Sequence, residues 1–207
     1  MCRLANNFAP FASHDLGRKV RQEAQSAQRK HTAKISYDRK GFQVAFYICK
    51  MKIQFWSIGK NHESYVKEGI QDFTKRIAKY FPVEWNIIPV PKNAGMMSEM
   101  DLKKKEGEMI IDWLKKDDYL VALDEHGKEM TSEKLADFLQ SRANDSVKTL
   151  VFVIGGAFGL DDAVLQKANY KWSLSKLTFP HQLARLILAE QVYRACTIMR
   201  NEKYHHG

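Results

Sequence analysis

Gly155-Gly156 and Gly159 follow directly on an apolar, β-branched run, Thr149 to Ile154, and this is where the chain can best bring backbone against a small molecule. Glycine has no Cβ to stand in the way and tolerates positive φ, so main-chain N–H and C=O groups can approach a ligand closely. The spacing is G-G-x-x-G. That is neither the dinucleotide fingerprint G-x-G-x-x-G nor the phosphate loop G-x-x-x-x-G-K-[ST], since no Lys-Ser or Lys-Thr follows, and a phosphate cradle is unsupported. A strand-to-helix turn that merely needs small residues fits the spacing equally well. The two positions before Gly159 are Ala157 and the bulky Phe158.

Other candidates for chemistry cluster downstream. Trp172 to Phe179 alternates in a strand-like way, then Pro180 pre-sets the backbone for a helix that His181 begins. That helix runs through Arg200 with one apolar stripe at Ala184, Leu188, Val192, Ala195 and Met199 and a second at Leu183, Ile187 and Ile198, too much for a single buried face. Arg185, Glu190 and Arg194 are embedded among the stripes. Glu190 to Arg194 is the favoured i,i+4 order, so a structural ion pair is expected there. A lone histidine at a helix start is more often structural than catalytic, and His181 is read that way. Cys2, Cys49 and Cys196 show no metal-binding spacing, and an odd count argues against a disulfide framework. Cys196, on the apolar last helix, reads as a small buried hydrophobe.

Four stretches, in order, resemble one family: Val153-Ile154-Gly155-Gly156-x-x-Gly159; Leu174 to Phe179 followed by Pro180-His181; Glu190-Gln191-x-Tyr193-Arg194-Ala195; and the terminal Tyr204-His205. The family is the SPOUT class of S-adenosylmethionine-dependent RNA methyltransferases, and within it the RlmH type, which modifies a pseudouridine in large-subunit ribosomal RNA. The resemblance covers residues 51 to 207. It implies a pocket for S-adenosyl-L-methionine lined by Leu123, Gly155, Leu174, Ser175, Lys176, Leu177, Thr178 and Phe179, with no metal. It implies an acceptor at N3 of a pseudouridine in the helix 69 stem-loop of 23S ribosomal RNA, on assembled ribosomes, with Arg185, Tyr204 and His205 positioning the substrate. It also implies a homodimer with the last helix at the interface, and a C-terminal trefoil knot in which the segment around Leu174 to Pro180 passes through the loop near Gly155 to Leu160. Ordinary core packing is the competing explanation for Leu123 and Leu174 viewed alone. A silent RNA-binding module of the same fold, and a metabolite-binding α/β protein or oxidoreductase, remain as other classes, the oxidoreductase last because its glycine fingerprint is missing.

The elements needed to position these residues can be read in order. Lys52 to Ile58 predicts a strand, and Asn61 can cap a helix with apolar positions Val66, Ile70, Phe73, Ile77 and Tyr80, ended by Pro82. Val83 to Val90 reads as a second strand. Ser98 or Asp101 opens a charged helix to about Lys115 with Ile110, Trp113 and Leu114 facing inward, and Lys103-Lys104-Lys105 is a solvated face. Tyr119 to Leu123 predicts a short third strand with Asp124 to Lys128 as its turn, and Thr131 or Ser132 caps a helix through about Arg142. The block from Thr149 adds a fourth strand, a short helix from Asp161, a fifth strand near Tyr170 to Leu174 and the final helix. Strands alternating with helices imply an α/β fold with a parallel-rich sheet and helices on both faces.

Size and charge set limits on function. The 207 residues are 44% hydrophobic, enough for one domain with a sizeable core, and no apolar run approaches the length of a membrane span. The net charge is +9, but residues 1 to 50 hold 10 of the 33 basic and 3 of the 24 acidic residues, or +7. The remainder is nearly neutral, so RNA must be met by a local patch rather than a basic surface. Residues 1 to 50 are acid-poor with little apolar periodicity before Gly41, and disorder or weak helix is expected, with Gly41 to Cys49 apolar enough to pair as a strand or dock on the surface. A targeting segment would share that composition; a secretory signal lacks its cleavage site; a mis-assigned start, with Met51 the true first residue, is favoured because the resemblance and the first strand begin there. Residues 51 to 207 read as a single domain in a reducing cytoplasm.

Overall fold

The computed structural model describes residues 34–37, 43–46 and 51–204. Its backbone divides into two units, Met1–Ile48 and Cys49–Gly207. In the first, β1 (Lys34–Tyr37) and β2 (Gln43–Phe46) pair antiparallel, Lys34 opposite Phe46 and Tyr37 opposite Gln43. The strand expected within residues 41–49 is β2. Lys34–Tyr37, where no strand was expected, supplies its partner. Other readings of the leader concern residues outside the described ones.

The second unit runs β3 (Lys52–Ile58), α1 (Ser64–Ile77), β4 (Val83–Ile88), α2 (Glu99–Trp113), β5 (Asp118–Glu129), α3 (Ser132–Asn144), β6 (Thr149–Ile154), α4 (Asp162–Lys167), β7 (Tyr170–Ser173) and α5 (His181–Met199). The five strands form one sheet in the order β4-β3-β6-β5-β7, and every neighbouring pair is parallel. Strand β6 shows why its sequence is apolar throughout. Leu150, Phe152 and Ile154 face a core shared with Ile77 of α1, Leu135 of α3 and Leu188 of α5. Val151 and Val153 face the opposite core with Ile110 of α2 and Val164 of α4. Helices thus cover both faces, and alternate residues of a central parallel strand are all buried.

Local signals explain most boundaries. Ser98, Thr131 and Asp161 each accept a hydrogen bond from a backbone N–H in the first turn of α2, α3 and α4, satisfying donors the helix leaves free. Three expectations need correction. Helix α1 is preceded by Glu63, which makes no side-chain cap, instead of being capped by Asn61. Gln182 of α5 takes over locally: its Oε1 accepts from the Glu63 N–H at 3.2 Å and its Nε2 donates to the Asn61 carbonyl at 3.4 Å. Strand β5 does not stop at Leu123 but continues through the expected turn to Glu129. Residues 124–127 bulge out, since Leu123 and Lys128 both pair with Trp172. Gly127 permits this, because a Cβ there would stand 2.7 Å from the Trp172 carbonyl carbon. Trp113 does not face inward. It is 42% exposed, its ring edge-on to Trp56 at 5.9 Å, and the buried positions of α2 are Glu106, Gly107 and Ile110.

Candidate active site

The parallel register brings the first group of candidates together. Leu123 of β5 lies opposite Ile154 of β6 on one side and Trp172 of β7 on the other. Gly155 is the next residue after the first, and Leu174 comes two after the second, so Leu123, Gly155 and the start of the 174–179 segment meet at the carboxyl edge of three adjacent strands. That edge is where open α/β sheets bind ligands.

The glycine turn is built from close backbone contacts. The Gly159 N–H donates to the Gly156 carbonyl at 3.1 Å, and the two residues form an isolated antiparallel bridge. A Cβ on Gly155 would lie 2.6 Å from both the carbon and the oxygen of the Gly159 carbonyl, which backbone cannot yield cheaply. Gly159 has φ +79°, with nothing within 4 Å of where its Cβ would be. Phe158, at the tip, is 41% exposed.

Hydroxyls shape the 174–179 segment. The Ser173 Oγ donates to the Ser175 carbonyl at 2.9 Å, and the Ser175 Oγ accepts from the Leu177 N–H at 3.0 Å. This local bonding turns the chain out of β7 and leaves Lys176, Leu177 and Thr178 exposed, with Leu174, Ser175 and Phe179 half-buried. Open space at Gly159, the exposed Phe158 and Leu177, and main chain outside any ladder together fit a ligand that needs amide partners for a base and apolar walls elsewhere. Leu123, Gly155 and Leu174 to Phe179 would hold such a ligand.

Arg185, one turn into α5, is buried. Its Nη2 donates to the Ile58 carbonyl at 3.1 Å and its Nη1 to the Lys60 carbonyl at 2.9 Å, and Nη1 is 3.5 Å from His62 Nδ1. Burial pulls its pKa down, partly opposed by Glu63. The guanidinium thus fixes the loop leaving β3. His62, edge-on to Trp85 at 4.9 Å, is held below its ordinary pKa by burial and then by Arg185 and Lys67. His181 shifts the same way through burial and Arg185, although the residue is exposed, which weakens the effect.

Tyr204 is not brought to this group. Its hydroxyl donates to Glu190 Oε1 at 3.2 Å, and Arg194 lies over its ring at 4.9 Å. The expected Glu190–Arg194 pair is present at 2.7 Å. With a rise of about 1.5 Å per residue, Glu190 and Arg194 stand roughly 8 to 14 Å along α5 from Arg185. His205 lies outside the described residues. Cys196 is fully buried, its thiol pushed up to about 12 by burial, as a packed hydrophobe should be.

Sequence reasoning missed Glu106. Its signal was a carboxylate four residues before Ile110, on the helix face that must be apolar. A shallow groove lined by Trp56, Trp113, Asp118 and Thr149 lies at the opposite, amino edge of the sheet and contains none of the candidate residues. Among the described residues, no three His, Cys, Asp or Glu side chains converge as a metal site, and no helix is long and apolar enough to cross a membrane.

Fold and edge together define an α/β domain with a five-stranded parallel sheet, whose carboxyl edge gathers Leu123, Gly155 and the start of the 174–179 segment. The family model described as "Predicted SPOUT methyltransferase" matches residues 51–205, and the chain belongs to that family. A protein from Cytophaga hutchinsonii named Ribosomal RNA large subunit methyltransferase H is 48% identical over 156 residues, covering 75% of this chain and 100% of the relative. Proteins of the same name from Parabacteroides distasonis and Clostridium botulinum (strain Kyoto / Type A2) are 47% and 44% identical, each covering 75% of this chain and 99% of the relative. Among solved structures, a probable methyltransferase from Bordetella pertussis aligns at 13% identity with a TM-score of 0.48, covering 72% of this chain and 98% of that one, too weak a likeness to add to the sequence match.

Proposed function

We propose that this methyltransferase moves a methyl group from S-adenosyl-L-methionine to N3 of a pseudouridine in the helix 69 stem-loop of 23S ribosomal RNA, on assembled ribosomes in the cytoplasm. The observation that carries the reading is the meeting of Leu123, Gly155 and the 174–179 segment at one sheet edge, in a chain whose relatives bear the names above. When bound, the donor supplies a methyl carbon made electrophilic by its sulfonium: the N–C bond forms as the C–S bond breaks, a neutral thioether is left, and the N3 proton passes to solvent.

The residues of this chain supply alignment, which accounts for much of the rate in such a transfer. Backbone groups of the glycine turn and of Ser175 to Thr178 would fix the donor, and Leu123, Leu174 and Phe179 would exclude water from it. Arg185 acts as a positioning residue through the Ile58–His62 loop. Threading of the 174–180 segment through the glycine loop, as in a trefoil knot, would explain how a short stretch outside any ladder keeps one shape.

Dimerisation completes this reading. Leu183 and Ile187 of the second α5 stripe remain half-exposed, and Tyr204 is engaged by Glu190 and Arg194, further along α5 than Arg185. A second copy packed along α5 would cover that stripe and bring its own Tyr204 and His205 to the slot. The test is transfer of labelled methyl from S-adenosylmethionine to ribosomes lacking the modification. Label in large-subunit RNA at the pseudouridine is expected. Cofactor binding without any transfer, to ribosomes or to free RNA, would leave a silent RNA-binding protein instead.

A further inference from the structure

Glu106 is titratable, buried and unused by the chemistry described so far. It is 3% exposed, and among the described residues its Oε2 has no hydrogen-bond partner and no ion pair engages it. Tight packing puts it there. A Cβ on the adjoining Gly107 would stand 2.6 Å from Asp161 Cβ, and one on Gly156 would collide with the Glu106 carboxyl, 2.7 Å from Oε1. The carboxyl therefore bears directly on the backbone of the glycine turn. The elements around it bring few charges: Lys103 one turn earlier on α2, Asp161, whose Oδ1 accepts from the Ala163 N–H, and Asp162 at the start of α4. The turn and β6 bring none. Burial without a cation to offset it raises the pKa of Glu106.

A buried carboxyl with an unpartnered oxygen is neutral when protonated, and its ionised form is favoured by a positive charge brought nearby. S-adenosylmethionine and the thioether product left after transfer share the same adenine, ribose and amino-acid groups, and differ by one methyl and one positive charge. The one charged side chain among the residues given to the slot, Lys176, is a cation, so none of them favours the sulfonium by charge. We propose that Glu106 is a positioning residue that supplies negative charge behind the Gly155–Gly156 turn, so that the slot holds the cationic sulfonium donor in preference to the neutral product. The inference rests on the reading of this slot as the methyl-donor site. Charge is felt strongly across a few ångströms of water-poor protein. Only the ionised carboxylate provides it, so binding of the cation draws the proton off Glu106, and acid opposes binding.

The test is calorimetric binding of S-adenosylmethionine and of S-adenosylhomocysteine to the full chain between pH 5 and 8, for the natural protein, Glu106→Gln and Glu106→Asp. In the natural protein the preference for the sulfonium should fall about tenfold as pH is lowered, one pKa unit of differential interaction being worth that factor. Glu106→Gln should lose about tenfold in affinity for the sulfonium while the thioether changes less than about twofold, and its preference should not vary with pH. Glu106→Asp should keep the preference. Equal weakening of both ligands in Glu106→Gln, or a preference that stays flat with pH in the natural protein, overturns the inference while leaving the site assignment standing. The pH series needs no variant, so it decides even if Glu106→Gln fails to fold. Binding of neither ligand to the natural protein overturns the site assignment and this inference with it.

Discussion

Arg185 and Arg194 lie nine residues apart on one helix and are bonded in opposite ways. Arg194 is a partly exposed cation paired with Glu190 at 2.7 Å and stacked on Tyr204. Arg185 is 1% exposed and donates to two backbone carbonyls, and among the described residues no carboxylate forms an ion pair with it. The first arrangement is the ordinary way a helix surface saturates its charges. The second holds a buried charge for the sake of a loop, and that loop flanks the sheet edge where the chemistry is placed. Along α5, therefore, the stretch that touches the edge is organised by backbone bonding, and the stretch beyond it by side-chain pairs.

Breaking each in turn separates them. Arg185→Ala leaves the buried Ile58 carbonyl and the Lys60 carbonyl without this donor, and a loss of about 3 kcal/mol is expected in urea denaturation; a loss near zero would mean that water replaces the guanidinium. Gly155→Ala puts a methyl against the Gly159 backbone and should cost about 2 kcal/mol, with at least a tenfold loss of donor affinity, the cost being that of overpacking. Gly95→Ala, which meets nothing within 4 Å, serves as the neutral control. Arg194→Ala removes a partly solvent-screened pair and should cost about 0.5 to 1 kcal/mol.

The smallest effect is in the pH dependence of stability. His62 titrates below its ordinary value of 6.5, so the unfolded chain takes up its proton first as pH falls. Its contribution is complete above about 6.5 and is lost as pH drops from there toward the folded value. Glu106, raised by burial, has the opposite sign: the folded chain binds its proton more readily, and stability gains as pH falls through its range. The sharpening measurement is thus the difference in melting temperature between the natural chain and His62→Gln from pH 7 to 5. The natural chain should lose more.

Much of this was legible in the residues. The β6 run, Ser98 and Thr131 as one of the two caps offered for each helix, a helix starting at Asp161, the Glu190–Arg194 pair and the burial of Cys196 all follow from local chemistry, because each depends on neighbours a few residues away. What was hidden depended on distant chain. Asn61 is a sound cap by type, but Gln182, 121 residues on, redirects the loop. Asp124 to Lys128 has the composition of a turn, yet β7 pairs on both sides of it through Gly127. Trp113 was counted as core by its hydrophobicity, whereas the inward place on α2 goes to Glu106, held against a glycine turn fifty residues later. At the site, the family motifs name stretches of chain far apart in sequence, and the register that makes Leu123, Gly155 and Leu174 neighbours exists only in the assembled sheet.

The most direct test of where the methyl donor sits is backbone hydrogen exchange with and without S-adenosylmethionine. Slowed exchange should concentrate in residues 123–128, 155–160 and 174–180, the strand ends at the carboxyl edge. If protection fell instead around Trp56, Trp113 and Asp118 at the opposite edge, or nowhere, the main-chain slot proposed here would be wrong.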